Sequence, residues 1–243
     1  MLLKITSKTS LQEIVTYIQN IREEKGKEKE VLKTINESLR FGHDFIINLF
    51  WEEALTYQHI YMSDSSNTSA LSQMENTVIK AKFYIEKYKL IKWNSRLYRF
   101  LGRICDYKKQ FNKAVFYYKK AVRLVKSDYE PWRILELEGF LSHSLIMSGK
   151  HTQGMKIFKS VHNKFLDSKI GKFLYKVDHN TWAIWLSGIV IRTINAVIDK
   201  KLKLNSEETK AWISLVEEEI SQKNKFEYRR EELERLKSRL MLN

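Results

Sequence analysis

The sequence predicts an all-α protein built from antiparallel helix pairs, and three observations carry that prediction. Gly 8 and Pro 1 in 243 residues leave too few turn formers for a β-rich chain. A hydrophobic content of 43%, with 12% aromatic residues, is enough to bury a continuous core and excludes a disordered chain. Apolar residues recur at three- and four-residue spacing through most of the sequence, which places them on one face of successive helices.

Ser10 followed by Glu13 makes a capping box, and Leu11, Ile14, Val15, Ile18 and Ile21 give the first helix its apolar face. Gly26 sits in the charged turn KGKEK, and Val31, Leu32, Ile35 and Leu39 mark a second helix. Phe41 to Met62 reads as a longer helix, with Phe45, Ile46, Leu49, Phe50, Leu55 and Ile60 apolar. The polar run SDSSNTS from Ser63 to Ser69 ends it, and Ala70 to Leu90 returns. Asn94 to Lys126 then reads as two short helices meeting at a turn. Tyr98, Leu101 and Cys105 share a face of the first, and Phe111, Ala114, Tyr118, Ala121 and Leu124 share a face of the second. Gly102 beside Leu101 leaves room for a close neighbour.

Asp128 as cap and Pro131 in the first turn open the next helix. Ser142 follows Gly102 by 40 residues, so this helix is expected to be longer by about two turns. Ser168 to Gly171 punctuates the chain. Asn180 to Leu204 is the most apolar helix and should lie between neighbours; Ser206, with Glu207 and Glu208, starts another. The last segment, with Leu233, Leu236 and Leu240 on one stripe, reads as a polar-faced cap or a short coiled-coil contact.

The Asn94 to Lys126 stretch resembles the tetratricopeptide-repeat family, whose signature runs aromatic, Leu-Gly, Tyr, then Ala, aromatic, Ala over about 34 residues. Tyr98, Leu101-Gly102, Cys105, Ala114, Tyr118 and Ala121 hold those places, with Cys105 in place of a tyrosine and Lys126 near the usual proline. Val31, Ile35 and Ser38, then Met74, Val78 and Ala81, and later Leu141, Leu145, Gly149, Gly154, Phe158 and Val161 hold similar places. The resemblance implies a right-handed helical-repeat solenoid of antiparallel helix pairs, about four to five irregular repeats in one domain spanning 1–243. Irregular pairs would fill 10–91, the best repeats 93–165, and an apolar pair with a capping helix 179–243.

The formal charge of +14 is concentrated in the middle of the chain. Fifteen Lys and Arg between Lys80 and Lys126 face only Glu86 and Asp106, whereas residues 1–79 carry eight basic and eleven acidic residues. Cys105 is the only cysteine, which excludes an internal disulfide and suits a reducing cytoplasm. MLLKITSKTS is too short an apolar run for a signal peptide, so a cytoplasmic location without export is expected. Thr181 to Ile198 approaches the length of a membrane span, but Arg192 and Asn195 inside it favour a buried helix.

No catalytic signature is present: the sequence has no Gly-rich phosphate loop, no paired Cys and no HExxH. Glu52, Glu53 and His59 share a helix but lack the repeated partners of a di-iron bundle, so neither metal nor cofactor is expected and His59 reads as an interior or groove residue. The sharpest feature is Arg96, Arg99 and Arg103, spaced to form a row on one helix face. The family resemblance implies that this face lines a concave groove, where arginine forks would meet carboxylates or phosphates. Tyr107, Lys113 and Tyr117 join them as candidate contacts. The family's chaperone-tail clamp of Lys, Asn and Arg is not matched, because Phe100 and Asp106 interrupt it. The same row also reads as an ordinary charged face neutralised by Asp106, Glu130 and Glu136.

Three functions fit: a non-enzymatic scaffold holding an acidic or extended peptide in a basic groove, an RNA- or DNA-binding repeat protein, and a bacterial peptide sensor. The first is preferred. Its partner would be an acidic protein or peptide, with the protein itself a monomer or a dimer through its C-terminal helices. Reversing Arg99 and Arg103 to Glu is expected to abolish partner binding while leaving helicity unchanged.

Overall fold

A computed structural model describes residues 10–39, 46–127, 130–222 and 225–241. Twelve helices, packed in neighbouring pairs, account for these residues, with no strand among them. They are α1 (Leu11–Arg22), α2 (Glu28–Leu39), α3 (Ile46–Ser63), α4 (Thr68–Lys87), α5 (Asn94–Tyr107), α6 (Phe111–Leu124), α7 (Ile134–Met147), α8 (His151–Asp167), α9 (Lys169–Val177), α10 (His179–Asp199), α11 (Ser206–Glu219) and α12 (Glu227–Met241).

Local chemistry sets most boundaries. Ser10 Oγ accepts from the Glu13 amide at 3.3 Å while the Glu13 carboxylate accepts from the Ser10 amide at 2.7 Å, closing the capping box of α1. Asn67 caps α4 through Ala70 N at 3.0 Å, so the loop after α3 is shorter than the full SDSSNTS run. Asn205, not Ser206, caps α11, since its Oδ1 accepts from Glu208 N at 3.0 Å. Helix α10 stops at Asp199, before the expected Leu204, because Lys201 takes a left-handed φ of 52°. Phe41, Phe45 and Asp128 lie outside the described residues.

The pair α7–α8 repeats the pair α5–α6. Helices α5 and α7 are both 14 residues long, each preceded by a short 3-10 turn, Ile91–Trp93 and Pro131–Arg133. Each ends in the same way, with Gln110 N donating to Cys105 O and Lys150 N to Leu145 O, both at 2.8 Å. The expected lengthening of the second pair's first helix is therefore absent. Its extra residues are taken up by the connection through Val125–Ser127 and Pro131–Arg133, where the proline supports a tight turn. Helix α9 is an element the sequence reading missed. Ser168 caps it by accepting from Gly171 N at 3.0 Å.

Packing follows the apolar stripes. A Cβ on Gly102 would stand 2.5 Å from the Tyr118 ring, so only glycine lets α6 approach α5 this closely. Tyr118 in turn stacks on Phe140, with ring centroids 5.4 Å apart, joining α6 to α7. The largest apolar cluster gathers Leu135, Phe158, Phe165, Trp182, Leu186, Ile189, Ile194 and Trp212 around α10. Full burial of one such aliphatic or phenyl side chain stabilises a fold by about 1.5–3 kcal/mol. Helix α10 is the one described helix long and apolar enough to cross a membrane, and 72% of that window is buried inside the protein.

Candidate functional site: a charge-balanced central cavity

Side chains from α1, α3, α5, α7, α9, α10 and α12 line one cavity of about 850 Å³. The first helix of each of the leading pairs turns inward, while α2, α4, α6 and α8 contribute nothing to the lining. Helix α12 completes the wall by closing on the N-terminal pairs. Lys25 Nζ meets Glu231 at 2.6 Å, the Tyr228 hydroxyl donates to Glu28, and the His59 and Tyr228 rings lie 4.8 Å apart.

Trp51, Trp93, Phe100, Trp132, Phe140 and Trp185 give the cavity an aromatic lining. Between them stand charges of both signs: Arg22, Arg96, Arg99, Arg133, Arg192, Lys225 and Arg229 against Glu23, Glu24, Glu52, Glu130, Glu136 and Asp178. This near-balance replaces the expected basic groove. The lysines that give the middle of the chain its excess charge, including Lys80, Lys87, Lys113, Lys119 and Lys126, are exposed on other faces.

The arginine row of α5 is partnered throughout, with Arg99 and Arg103 buried and Arg96 partly so. Arg99, 6% exposed, donates to Glu136 from Nη2 at 2.7 Å and Nε at 3.2 Å, a two-pronged contact inside the wall. Arg96 pairs with Glu130, which also accepts from Arg133 Nε at 2.6 Å. Arg103, 5% exposed, lies 3.5 Å from Asp106 and donates to the Tyr107 hydroxyl at 2.5 Å. Asp106 is further held by Tyr118 and Ser144, whose hydroxyls donate at 2.7 and 2.6 Å. On α3, Glu52 pairs with Arg22, whose carbonyl lies 3.2 Å from His59 Nδ1.

These contacts shift the ionisation of the groups that make them. Burial would raise the Glu136 carboxyl, but Arg99 and Arg133 outweigh it and hold it at about 2. Glu23 behaves likewise: burial raises it, and His59, Arg22 and Arg229 bring it below the ordinary carboxylate value. Burial depresses His59, with Glu23 opposing, and depresses His143, with Asp106 opposing.

The six residues singled out in the sequence do not form one site. Arg96 and Arg99 line the cavity, and Arg103 with Tyr107 stands beside it against Phe140. Lys113 lies elsewhere, in a shallow depression formed with Phe111, Gly149 and Lys200. Tyr117 packs on Tyr98, ring centroids 6.2 Å apart, and on Phe116. The divergence is geometric, because α5 faces inward while α6 forms the outer layer. Nor is the double reversal of Arg99 and Arg103 benign as expected. It would set two new buried carboxylates against Glu136 and Asp106, so loss of folding is the expected result.

Sequence reasoning did not single out Arg22, Arg133 or Arg229 as lining residues, and it read Arg192 only as a charge inside an apolar run. Among the described residues no three His, Cys, Asp or Glu side chains converge as a metal-binding group. Compared with known proteins, the chain matches no family model and no curated sequence.

Proposed function

We propose that this protein is a non-enzymatic helical-repeat adaptor of the tetratricopeptide type, a right-handed solenoid whose central cavity holds a short extended peptide segment. The observation that carries this reading is the cavity wall itself. Inward helices and the turns beside them combine aromatic side chains with oriented charges around about 850 Å³, within the roughly 300–1,000 Å³ typical of ligand sites. Aromatic walls supply apolar contact, and fixed polar groups supply direction and register. Because the lining carries both signs, the segment is of mixed polar and apolar character rather than uniformly acidic.

The closure of α12 over α2 and α3 favours a variant of this reading, in which the peptide's arrival is sensed as movement of α12. The nucleic-acid alternative draws on the exposed lysines and on Phe116, 53% exposed with Lys120 Nζ 4.6 Å from its ring centre.

The test incubates the full chain with a pool of acetylated random pentapeptides and identifies retained peptides by mass spectrometry. Leu55→Trp and Ile184→Trp, which place bulk in the cavity, serve as blocked variants. A retained subset, lost in both variants while helical circular dichroism persists, is the expected result. Retention unchanged by filling the cavity, or no retention, would contradict the reading. Nucleic acid that co-purifies and leaves steeply between about 50 and 200 mM salt would favour the alternative.

A further inference from the structure

Among the described residues, Arg192 is the one arginine of the cavity lining that forms no direct ion pair, and its buried Nε has no hydrogen-bond partner. Its contact is the Phe140 ring, whose centre lies 4.4 Å from its Cζ. The same ring carries Arg103 at 4.7 Å and Arg99 at 5.1 Å.

A second arginine stands alongside. A Cβ on Gly188 would lie 2.9 Å from Arg192 Nη1, 3.0 Å from Arg229 Cζ and 3.1 Å from Arg229 Nη2. Both guanidiniums therefore rest on the surface that this glycine leaves bare. Arg229 pairs with Glu232 and Arg103 with Asp106, so the cluster retains one cation more than its carboxylates. Like charges held this close in a partly dry site repel, and the repulsion persists unless an anion enters. Burial, then Arg103 and Arg229, lower Arg192 to about 9 against the opposing pull of Glu232. It still carries its charge at neutral pH.

We propose that Arg192 and Arg229, set over Gly188 and Phe140, form a seat for an oxyanion of the cavity's ligand, a carboxylate or a phosphate group. This rests on the cavity reading above. Adjacent planar forks suit an anion with several acceptor oxygens better than a halide or a neutral carbonyl, because each fork presents paired N–H donors. The seat lies on α10 and α12, next to Arg99 and Arg103 of α5, which already have Glu136 and Asp106 as ion-pair partners. An occupant here would bridge α10 to the helix that closes the cavity.

The test uses the full chain and three probes: inorganic phosphate, the acetylated pentapeptide pool with free C-terminal carboxylates, and the same pool amidated. Melting temperature and peptide retention are read for wild type, Arg192→Met and Gly188→Ala. The free-acid pool, or phosphate, is expected to stabilise wild type and to bind about tenfold more weakly to Arg192→Met, since a charge-assisted contact is lost. Without probe, Arg192→Met melts no lower than wild type. Gly188→Ala, whose Cβ displaces both guanidiniums, weakens the same binding. Preference for free acid over amide identifies a carboxylate; stabilisation by phosphate alone identifies a phosphate group. If both pools bind alike and phosphate does nothing, the seat is refuted while the cavity reading stands. If no probe binds, both fall, and if unliganded Arg192→Met melts lower, Arg192 is a structural residue.

Discussion

The inner wall and the outer surface of α5 and α6 draw on the same basic stretch and use it in opposite ways. On the inside, Arg96, Arg99 and Arg103 are partnered by Glu130, Glu136 and Asp106. On the outside, Lys113, Lys119, Arg123 and Lys126 are exposed to solvent. Arginine suits the first environment because one guanidinium directs two N–H groups at a carboxylate, as Arg99 Nε and Nη2 do at Glu136 Oε1, and lies over the Phe100 and Phe140 rings. Lysine suits the second, where a hydrated charge on a flexible stem keeps the surface soluble. Net charge along a segment therefore says little about a groove until the direction of each side chain is known.

The two surfaces should differ most in their response when one inner partner is removed. Arg99→Ala leaves Glu136 buried without its principal partner and is expected to cost about 3–5 kcal/mol, read as a lower urea midpoint. Little change would mean that the wall is wet and the ion pairs expendable. Acid probes the same partners. The Glu136 carboxyl is depressed from 4.5 to about 2, so its contribution is fully present above its unfolded value. It is lost as pH falls through the folded one, about 3 kcal/mol between pH 4.5 and 2. His59 and His143 are depressed below 6.5, so the unfolded chain binds their protons first. Stability should begin to fall below about pH 6.5 and steepen below about 4.5. A flat urea midpoint from pH 7 to 4 would contradict these assignments.

Gly102→Ala forces a methyl toward the Tyr118 ring and is expected to cost about 1–3 kcal/mol, measured by thermal melting. On the outer side, Lys119→Gln is expected to change stability by no more than about 0.5 kcal/mol. A larger loss there would erase the contrast between the two surfaces.

Helix existence, the Ser10 cap and the close approach at Gly102 were legible in the sequence because each depends on neighbours within a few residues. The repeated pair around Tyr118 and Phe158 was legible through spacing. The cavity was not. It depends on α1, α3, α5 and α7 facing one another and on α12 returning to Lys25 and Glu28, contacts that no local pattern encodes. The partners of Arg99 and Arg96 were named among the acidic residues of adjacent helices. Their burial, and the separation of Lys113 and Tyr117 from them, required the packing. Helix α9 was passed over because Ser168 and Gly171 read as punctuation, whereas Ser168 is its cap.

On the reading proposed above, the cavity's partnered arginines hold the fold while Arg192 is kept for an occupant. Melting temperatures of unliganded Arg99→Met and Arg192→Met, measured side by side at neutral pH, test it most directly. The two substitutions remove the same group from one lining. A marked drop is expected for Arg99→Met, which strands Glu136, and an unchanged or higher value for Arg192→Met, which relieves repulsion from Arg103 and Arg229. Equal losses in both variants would contradict it, because Arg192 would then be as much a part of the scaffold as Arg99.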